Sequence, residues 1–244
     1  MPYYYGYGDF LANNIYCVLL IPVLLLSLWA QFQVSGNFRR YSAQRSRRGL
    51  TGAQAAEAVL RAHGVFDVAI RPCRGSLTDH YDPRDNTIYL SQDVYAAPTI
   101  AAVGVACHEA GHAVQYAVGY GPVRLRQAII PVTQLGSKFS FILLLAGMFL
   151  YSQTLFLAGI LLFSLTTVFQ LVTLPVEFNA SHRAIETIES QYLLEDDEVY
   201  GAKKVLRAAA MTYVAALLMS ALQLLRFVLI FLGRNGNRRG GGRE

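Results

Sequence analysis

The feature that most constrains this 244-residue chain is an uncharged run from residue 139 to residue 176, where 38 positions contain no acidic, basic or histidine side chain. A single helix of that length would rise about 57 Å, whereas the hydrocarbon core of a bilayer is about 30 Å thick and is crossed by about 20 helical residues. Polar residues interrupt the run at 151–154. The run therefore predicts a transmembrane hairpin with arms near 135–151 and 154–176.

Two further uncharged runs predict two more membrane-spanning helices. Residues 10–38 form a run of 29, and residues 208–225 form a run of 18 that continues as apolar sequence beyond Arg226 to Leu232. The first run has no basic residue before it and exceeds the ~7–15 apolar residues of a signal peptide, so we expect an uncleaved helix. Charged residues make up only 15% of the chain, against about 25% in soluble domains, which excludes an ordinary soluble protein.

The remaining sequence divides into two polar segments and a tail. Residues 39–138 provide 100 residues, enough for one small domain, and residues 177–207 form a second, shorter segment. With four spans both segments lie on one side of the membrane, and the basic residues beside the spans indicate the cytoplasmic side. These residues are Arg39, Arg40, Arg45, Arg47, Arg48, Lys138, Arg183, Lys203, Lys204 and Arg207. The Gly-rich segment 233–244 predicts a disordered tail, and its arginines are a counter-signal to that orientation.

Within residues 39–138 the pattern predicts a small α+β domain. Thr51 has the residue type of a helix N-cap and Gly64 that of a helix end. Alternating apolar residues at 66–70 predict a strand, and turn-forming residues 82–86 between two short extended runs predict a hairpin. In chain order the predicted elements are a helix at 53–63, strands at 66–70, 77–81 and 87–90, and a helix at 98–118. The fold class is therefore an α-helical multi-pass membrane protein with about four transmembrane helices and a small α+β domain.

The last of these helices carries His108, Glu109 and His112 in an H-E-x-x-H pattern. Residues i and i+4 lie on one face of a helix, so both histidines can offer an imidazole nitrogen to one zinc ion. Glu109 then projects beside the open coordination position, where it can take a proton from an attacking water. The competing interpretation is a helix with incidental His and Glu. It is weakened because two of the chain's five histidines have this spacing, and because unpaired polar groups are costly in so apolar a helix.

A catalytic zinc needs a third protein ligand from elsewhere in the chain. The candidates are Asp79, His80, Glu177, His182, Glu186 and Glu189. Glu177 is favoured, because it ends the long uncharged run and a carboxylate at the border of the membrane is costly without a partner. The alternative is an interfacial glutamate that faces water or lipid headgroups.

Three stretches of the sequence resemble the YugP-like family of bacterial membrane zinc metallopeptidases; they are residues 77–83, 106–113 and 174–181. The resemblance extends over about 15–232 and implies a zincin-like catalytic domain anchored in the bacterial plasma membrane. The layout is more distantly similar to HtpX and the CAAX prenyl endopeptidases, in which H-E-x-x-H is followed by E-x-x-x-D and that Glu is the third ligand. Glu177 matches this Glu. Ser181 stands where the Asp would be and could still hydrogen-bond a ligand.

The predicted hairpin offers candidates for stabilising the oxyanion of peptide hydrolysis. Zinc proteases often bind a peptide as an added strand along a sheet edge. By analogy strand 77–81 is such an edge, from which His80 or Tyr81 could donate to the oxyanion. The alternative is a purely structural hairpin with an Asx-turn. His182 is a further candidate donor, or an interfacial histidine.

The sequence thus predicts a membrane-embedded zinc endopeptidase with one catalytic zinc ion, an active site at the cytoplasmic membrane surface, and membrane or membrane-proximal proteins as substrates. One competing hypothesis is a zinc-stabilised, non-enzymatic membrane scaffold or adaptor with His80 or His182 as a fourth ligand. Another is a transporter, which the scarcity of charges in the spans disfavours. The net charge of +5 lies largely beside the spans, which indicates binding to membrane lipid rather than to nucleic acid. The sequence leaves open whether the protein forms homo-oligomers and whether it acts with partners in membrane quality control.

Overall fold

Four long helices of the described chain have the length and composition of membrane spans. Secondary structure is described for residues 7–240 of a computed structural model, and side chains for Tyr16 and residues 18–233. In chain order the elements are α1 Tyr7–Ser42, α2 Gly52–Ala62, β1 Ala69–Cys73, β2 His80–Asp82, β3 Thr87–Ser91, α3 Gln92–Tyr95, α4 Ile100–Ala117, α5 Gly121–Phe149, α6 Gln153–Ser190 and α7 Asp196–Gly240. The candidate spans lie in α1, α5, α6 and α7, and the predicted helical multi-pass fold with a small α+β part is confirmed.

The chain divides into two compact units. One comprises Trp29–Leu125 and Thr173–Thr212; it contains the sheet and the short helices, and we call it the polar unit. The other comprises Met1–Leu28, Arg126–Val172 and Tyr213–Glu244, and we call it the membrane unit. Each of the four long helices contributes residues to both units. The borders that the sequence predicts for the polar segments therefore fall inside continuous helices rather than in loops.

A three-stranded sheet forms one layer of the polar unit. β3 is the central strand, paired in parallel with β1 and antiparallel with β2. The β2–β3 hairpin that the sequence predicts is confirmed, but β2 spans 80–82 rather than the predicted 77–81, because its pairing with β3 begins at His80. β1 begins later than the alternating pattern suggests, because its pairing with β3 starts at the pair of Ala69 with Thr87. Phe66, which the pattern includes in the strand, lies before it and is 79% exposed.

Two helices of the polar unit begin at residues that cap them. Thr51 accepts a hydrogen bond from the N–H of Gln54, whose side chain accepts one from the N–H of Thr51. This capping box confirms the predicted N-cap of α2. α4 begins at Ile100 rather than at Pro98, because the side chain of Thr99 accepts a hydrogen bond from an N–H of the first turn and so acts as the N-cap.

The hydrophobic core of the polar unit joins α1, α2, β3, α4, α6 and α7. Ile88 and Leu90 of β3 are fully buried in it. α2 packs against α4, and both helices contribute small, fully buried side chains to the core, among them Ala56 and Ala102. The core therefore fixes α4, the helix that carries the H-E-x-x-H pattern, against α2 and the sheet.

The long uncharged run forms the predicted hairpin in the membrane unit. α5 and α6 are separated by a turn at 150–152, in which Tyr151 has a left-handed φ of 53°. A Cβ on Gly147 of α5 would collide with the backbone of Phe156 on α6, so the glycine allows the two arms to pack closely. The break predicted from the polar residues in the run is therefore confirmed.

The long helices extend beyond the predicted spans. α5 begins at Gly121, and α6 continues past residue 176 to Ser190. The polar ends of α6 and α7 stay helical because packing supports them. Ile188 of α6 and Leu206 of α7 are buried in the polar core. α7 reaches Gly240, inside the segment for which the sequence predicts a disordered tail, and residues 241–244 lie outside the described residues.

We predict that Leu90→Ala lowers the free energy of unfolding by about 2–5 kcal/mol, because it leaves a cavity in the centre of the polar core. The control is Leu77→Ala, the same substitution at a side chain that is 47% exposed, which we expect to cost at most about 1 kcal/mol. Denaturation of the purified protein in detergent compares the two variants. Equal losses would contradict this description of the core.

Candidate metal centre

α4 brings the two histidines of the H-E-x-x-H pattern together in the polar unit. His108 and His112 lie one helical turn apart, with ring centroids separated by 4.7 Å and ring planes nearly perpendicular. Their side chains are only 14% and 12% exposed. The two imidazoles therefore form a half-enclosed pair of nitrogen donors on a rigid, well-packed helix.

Glu177 of α6 completes a group of three potential ligands. Its Oε2 lies 3.4 Å from Nε2 of His108 and 3.4 Å from Nε2 of His112. The ligand atoms of the three residues all lie within 4.8 Å of one another. The Glu177 side chain is only 3% exposed, and burying a carboxylate is costly unless a positive charge compensates it. This arrangement suits a cation held between the three side chains.

The close approach of α6 to α4 depends on a glycine inside the pattern. A Cβ on Gly111 would lie 2.7 Å from the carbonyl oxygen of Ala180, closer than real Cβ atoms approach such a group. Because Gly111 has no side chain, the backbone of α6 lies directly against α4 one turn after Glu177. The glycine therefore determines how near the carboxylate comes to the two imidazoles.

The other nitrogen of each imidazole is held by a polar side chain. Ser181 Oγ lies 3.1 Å from Nδ1 of His108, and Gln115 Oε1 lies 3.1 Å from Nδ1 of His112. The amide oxygen of Gln115 can only accept, so Nδ1 of His112 donates this hydrogen bond, and Nε2 can offer its lone pair to a metal ion once it carries no proton. Such partners fix the ring orientation and the tautomer of a metal ligand. Both Nε2 atoms consequently face Glu177.

Gln115 is a functional candidate that the sequence interpretation missed. It is fully buried, and its Nε2 donates hydrogen bonds to the carbonyl oxygen of Val176 at 2.8 Å and to Asn179 Oδ1 at 3.0 Å. One side chain thus orients His112 and ties α4 to α6 on both sides of Glu177. The available signal was a polar residue three positions after His112, on the same face of an otherwise apolar helix.

Glu109, the remaining residue of the pattern, is buried beside the pair. Only 8% of the residue is exposed, and its Oε2 accepts a hydrogen bond from the backbone N–H of Tyr81 at 3.1 Å. Tyr81 belongs to β2, an edge strand of the sheet. The sheet edge therefore orients a carboxylate next to the three potential ligands.

The electrostatics of the centre favour positive charge. Burial acts to lower the pKa of His112, but the hydrogen bond and charge of Glu177, together with the charge of Glu109, outweigh burial and raise it. The carboxylates that favour a proton on this imidazole would likewise favour a divalent cation. Burial raises the pKa of the neighbouring Cys107 thiol, which stays protonated and packs as a core residue.

Two of the predicted oxyanion donors are turned to other partners. His80 is exposed; its ring stacks on Tyr89 and its Nδ1 lies 2.8 Å from the carbonyl oxygen of Thr78. The Tyr81 hydroxyl donates to Asn86 Oδ1 at 2.7 Å, and burial raises the pKa of Tyr81 to about 12. The backbone of Tyr81, rather than its side chain, makes the contact with Glu109.

The other candidates for a third ligand also lie elsewhere. Asp79 accepts hydrogen bonds from both the N–H and the hydroxyl of Ser91, and Glu189 pairs with Lys203. Glu186 and His182 are exposed on α6, and no contact of the described residues joins either side chain to the histidine pair. Of the candidates, Glu177 is the one that the structure brings to the pair.

Comparison with known proteins agrees with this geometry. Residues 16–232 match the model of the family described as "Putative neutral zinc metallopeptidase". The chain belongs to this family. This zinc metallopeptidase family member is also 49% identical, over 224 residues, to the Bacillus subtilis (strain 168) protein named "Putative membrane protease YugP", a match that covers 91% of this chain and 100% of that protein. No solved structure matches the chain. The resemblance to the YugP-like family is therefore confirmed.

The side chains of the centre fit the metal that the family implies. Two imidazole nitrogens and one carboxylate oxygen form a three-ligand set typical of a catalytic zinc site, which keeps one position open. Magnesium and calcium prefer sites made of oxygen ligands alone, so the two imidazoles favour a transition metal such as zinc.

We predict that Gly111→Ala lowers zinc affinity, because the added methyl group forces α6 away from α4 and draws Glu177 off the imidazoles. The control is Gly36→Ala, the same substitution inside α1, where a Cβ meets nothing within 4 Å and where alanine favours the helix. Competition with a zinc chelator measures both variants. Equal zinc affinity in the two would contradict the role given to the α4–α6 contact.

We predict that Gln115→Ala weakens zinc binding by about 10–100-fold, the usual effect of removing the outer partner of a metal ligand. Gln115→Glu keeps an acceptor for Nδ1 of His112 but loses the donor to Val176. It should therefore recover part of the affinity. The visible spectrum of the cobalt-substituted protein reports ligand geometry independently of turnover. An unaltered spectrum and affinity in Gln115→Ala would refute the positioning role.

Proposed function

We propose that this member of the zinc peptidase family is a membrane endopeptidase that hydrolyses peptide bonds in membrane or membrane-proximal proteins, with Glu109 as general base. The observation that carries the proposal is the hydrogen bond from the Tyr81 N–H to Glu109, which holds a buried carboxylate beside three potential zinc ligands. A site that only stabilises the fold has no need for such a group.

His108, His112 and Glu177 would hold one zinc ion, with Ser181 and Gln115 orienting the two imidazoles. When bound, zinc supplies a Lewis acid that lowers the pKa of a water to about 7 and polarises the scissile carbonyl. The three-ligand set leaves room for water and substrate. A closed structural site would require a fourth ligand, and the described contacts bring neither His80 nor His182 to the group.

Glu109 transfers the proton of the attacking water during peptide hydrolysis. Its Oε2 is held by the Tyr81 amide, and among the described residues its Oε1 has no hydrogen-bonding partner. We assign to Oε1 the proton released by the attacking water, which Glu109 then delivers to the nitrogen of the leaving amine. A carboxylate fixed in place by a backbone amide loses little freedom in this step, because its geometry exists before the substrate arrives.

The oxyanion donors predicted from the sequence are His80, Tyr81 and His182, and Tyr81 has the best support of the three. The support is that its own backbone N–H contacts Glu109, whereas His80 and His182 have no contact with Glu109 or the histidine pair among the described residues. The Tyr81 hydroxyl now donates to Asn86 and would exchange that acceptor for the oxyanion.

The protein is a membrane protein, and we place its active site at the cytoplasmic face of the bacterial plasma membrane. The support is the accumulation of basic residues on the segments next to the spans, from Arg39 to Arg48 and from Lys203 to Arg207. Glu177 directly follows the long uncharged run of α6. A peptidase with its ligand at that point would act on chain segments close to the membrane surface.

We predict that Glu109→Gln retains zinc but loses peptide hydrolysis by at least about 10²–10⁴-fold, because the amide keeps the shape of the side chain and cannot accept the proton. The control is Glu57→Gln, an exposed glutamate of α2 that pairs with Arg61 and should leave turnover unchanged. Zinc content and hydrolysis of a peptide library in detergent are measured together. Membrane proteomes of cells with either variant then identify proteins that only the Glu109→Gln form leaves intact.

Unchanged hydrolysis by Glu109→Gln would remove Glu109 from the mechanism. A wild-type protein that is loaded with zinc and cleaves no peptide or membrane protein would favour the scaffold hypothesis instead.

A further inference from the structure

A groove of about 360 Å³ lies between α1 and α7 in the polar unit, and it shares no residue with the metal centre. α1 lines it with Trp29, Gln33 and Asn37, which succeed one another at one-turn intervals on one helix face. α7 lines it with Lys204 and Arg207. The groove thus joins an aromatic ring, two amides and two cations.

The groove lies at the level where both helices pass from uncharged to charged sequence. On α7, Arg207 is the last charged residue before the uncharged run that begins at Ala208. On α1, the uncharged run ends at Phe38. Trp29 lies nine residues, about 13.5 Å along the helix, before this end, so it marks the apolar end of the groove. The groove is therefore built for the interface between membrane and water.

The positive charge of the groove is not neutralised by the protein. Its lining in the described chain includes no Asp or Glu. Lys204 and Arg207 are exposed and form no ion pair among the described residues, whereas the adjacent Lys203 pairs with Glu189. The Lys204 ammonium lies 5.2 Å from the centre of the Tyr200 ring, a contact that leaves its charge available. The chain thus presents two uncompensated cations that can bind an anion.

The groove also has an apolar part, which indicates what kind of anion it receives. Ala208 and Met211 of α7 line it toward the uncharged run, and the half-exposed ring of Trp29 faces it from α1. A free phosphate ion gains nothing from these groups. A phospholipid presents a phosphate and an acyl chain in the same order, from the charged level of the helices toward the uncharged one.

We propose that this groove binds an anionic phospholipid, with the phosphate at Lys204 and Arg207, the polar headgroup at Gln33 and Asn37, and the acyl chain against Met211 and Trp29. The site is separate from peptide hydrolysis and holds whether or not the protein is a peptidase. It differs from general attraction to an anionic membrane, because it depends on two particular cations rather than on all the basic residues beside the spans.

Trp29 is the single tryptophan of the chain, so its fluorescence reports on this groove alone. The full-length protein is reconstituted in phosphatidylcholine vesicles that contain one quarter phosphatidylglycerol, with bromine on the acyl chains of either the anionic or the neutral lipid. Bromine quenches tryptophan only in direct proximity. We expect brominated phosphatidylglycerol to quench Trp29 well beyond its mole fraction in the bilayer.

The double variant Lys204→Gln with Arg207→Gln should abolish this enrichment, since each cation near an anionic lipid contributes about fivefold in binding. The matched control is Lys203→Gln with Arg61→Gln, which removes the same charge from two residues that form ion pairs outside the groove. An equal loss of enrichment in the control would show that net charge, rather than the two cations of the groove, causes the enrichment. This result would overturn the proposal.

Two further outcomes would also overturn it. Quenching by the two brominated lipids in proportion to their mole fractions would show that the groove has no lipid preference. Full reversal of the enrichment by millimolar inorganic phosphate would make the groove a simple anion site. We expect phosphate to have little effect, because it lacks the acyl chain that the apolar part of the groove receives.

Discussion

The metal centre depends on one contact, the approach of the α6 backbone to α4 at Gly111. Two histidines on a single helix face cannot make a catalytic site, because zinc needs a third protein ligand and that ligand has to come from another element. The missing side chain at Gly111 lets the carbonyl of Ala180 lie against α4, and Glu177 is one turn away on the same helix. The geometry of the donors is thus decided by backbone packing, before any ligand side chain contributes.

That contact buries the carboxylate of Glu177, and the free-energy cost of this burial is offset by the rest of the site. Glu177 is nearly inaccessible to solvent, and a carboxylate removed from water is stable only when charge or hydrogen bonds compensate it. The two imidazoles supply partners, and Ser181 and Gln115 hold those imidazoles in place by their other nitrogens. Gln115 orients His112 and also binds α6 through a hydrogen bond to the carbonyl of Val176. A zinc ion would complete the charge balance that these groups begin.

Sequence patterns predict the parts of this structure that obey a local rule. The spans follow from the absence of charge, the N-cap at Thr51 from residue type, and the β2–β3 hairpin from its turn residues. The histidine pair follows from helical spacing, which fixes i and i+4 on one face. The cost of an unpartnered carboxylate at the end of the uncharged run favours Glu177, and that argument needs no knowledge of the fold.

The parts that no local rule covers depend on long-range packing. Gln115 looks like any polar residue of a helix until α6 is seen to pass beside it. The start of β1 depends on where β3 begins to pair with it, so the alternation that includes Phe66 misplaces the strand. The role of Tyr81 depends on its backbone N–H, which every residue type except proline possesses, so its side chain gives no signal. Helix ends also escape prediction, because the buried Ile188 and Leu206 keep α6 and α7 helical beyond their uncharged runs.

The continuity of α6 fixes the position of Glu177 relative to the long uncharged run. The helix runs from Gln153 to Ser190 without a loop between its uncharged run and Glu177. Rise along a helix is about 1.5 Å per residue, and Glu177 is the first residue after that run, so about 1.5 Å along the axis separates it from the end of the run. A ligand carried on a loop could move away from that run, but a ligand inside a continuous helix cannot. The helix that carries this candidate membrane span is therefore the same element that completes the donor set.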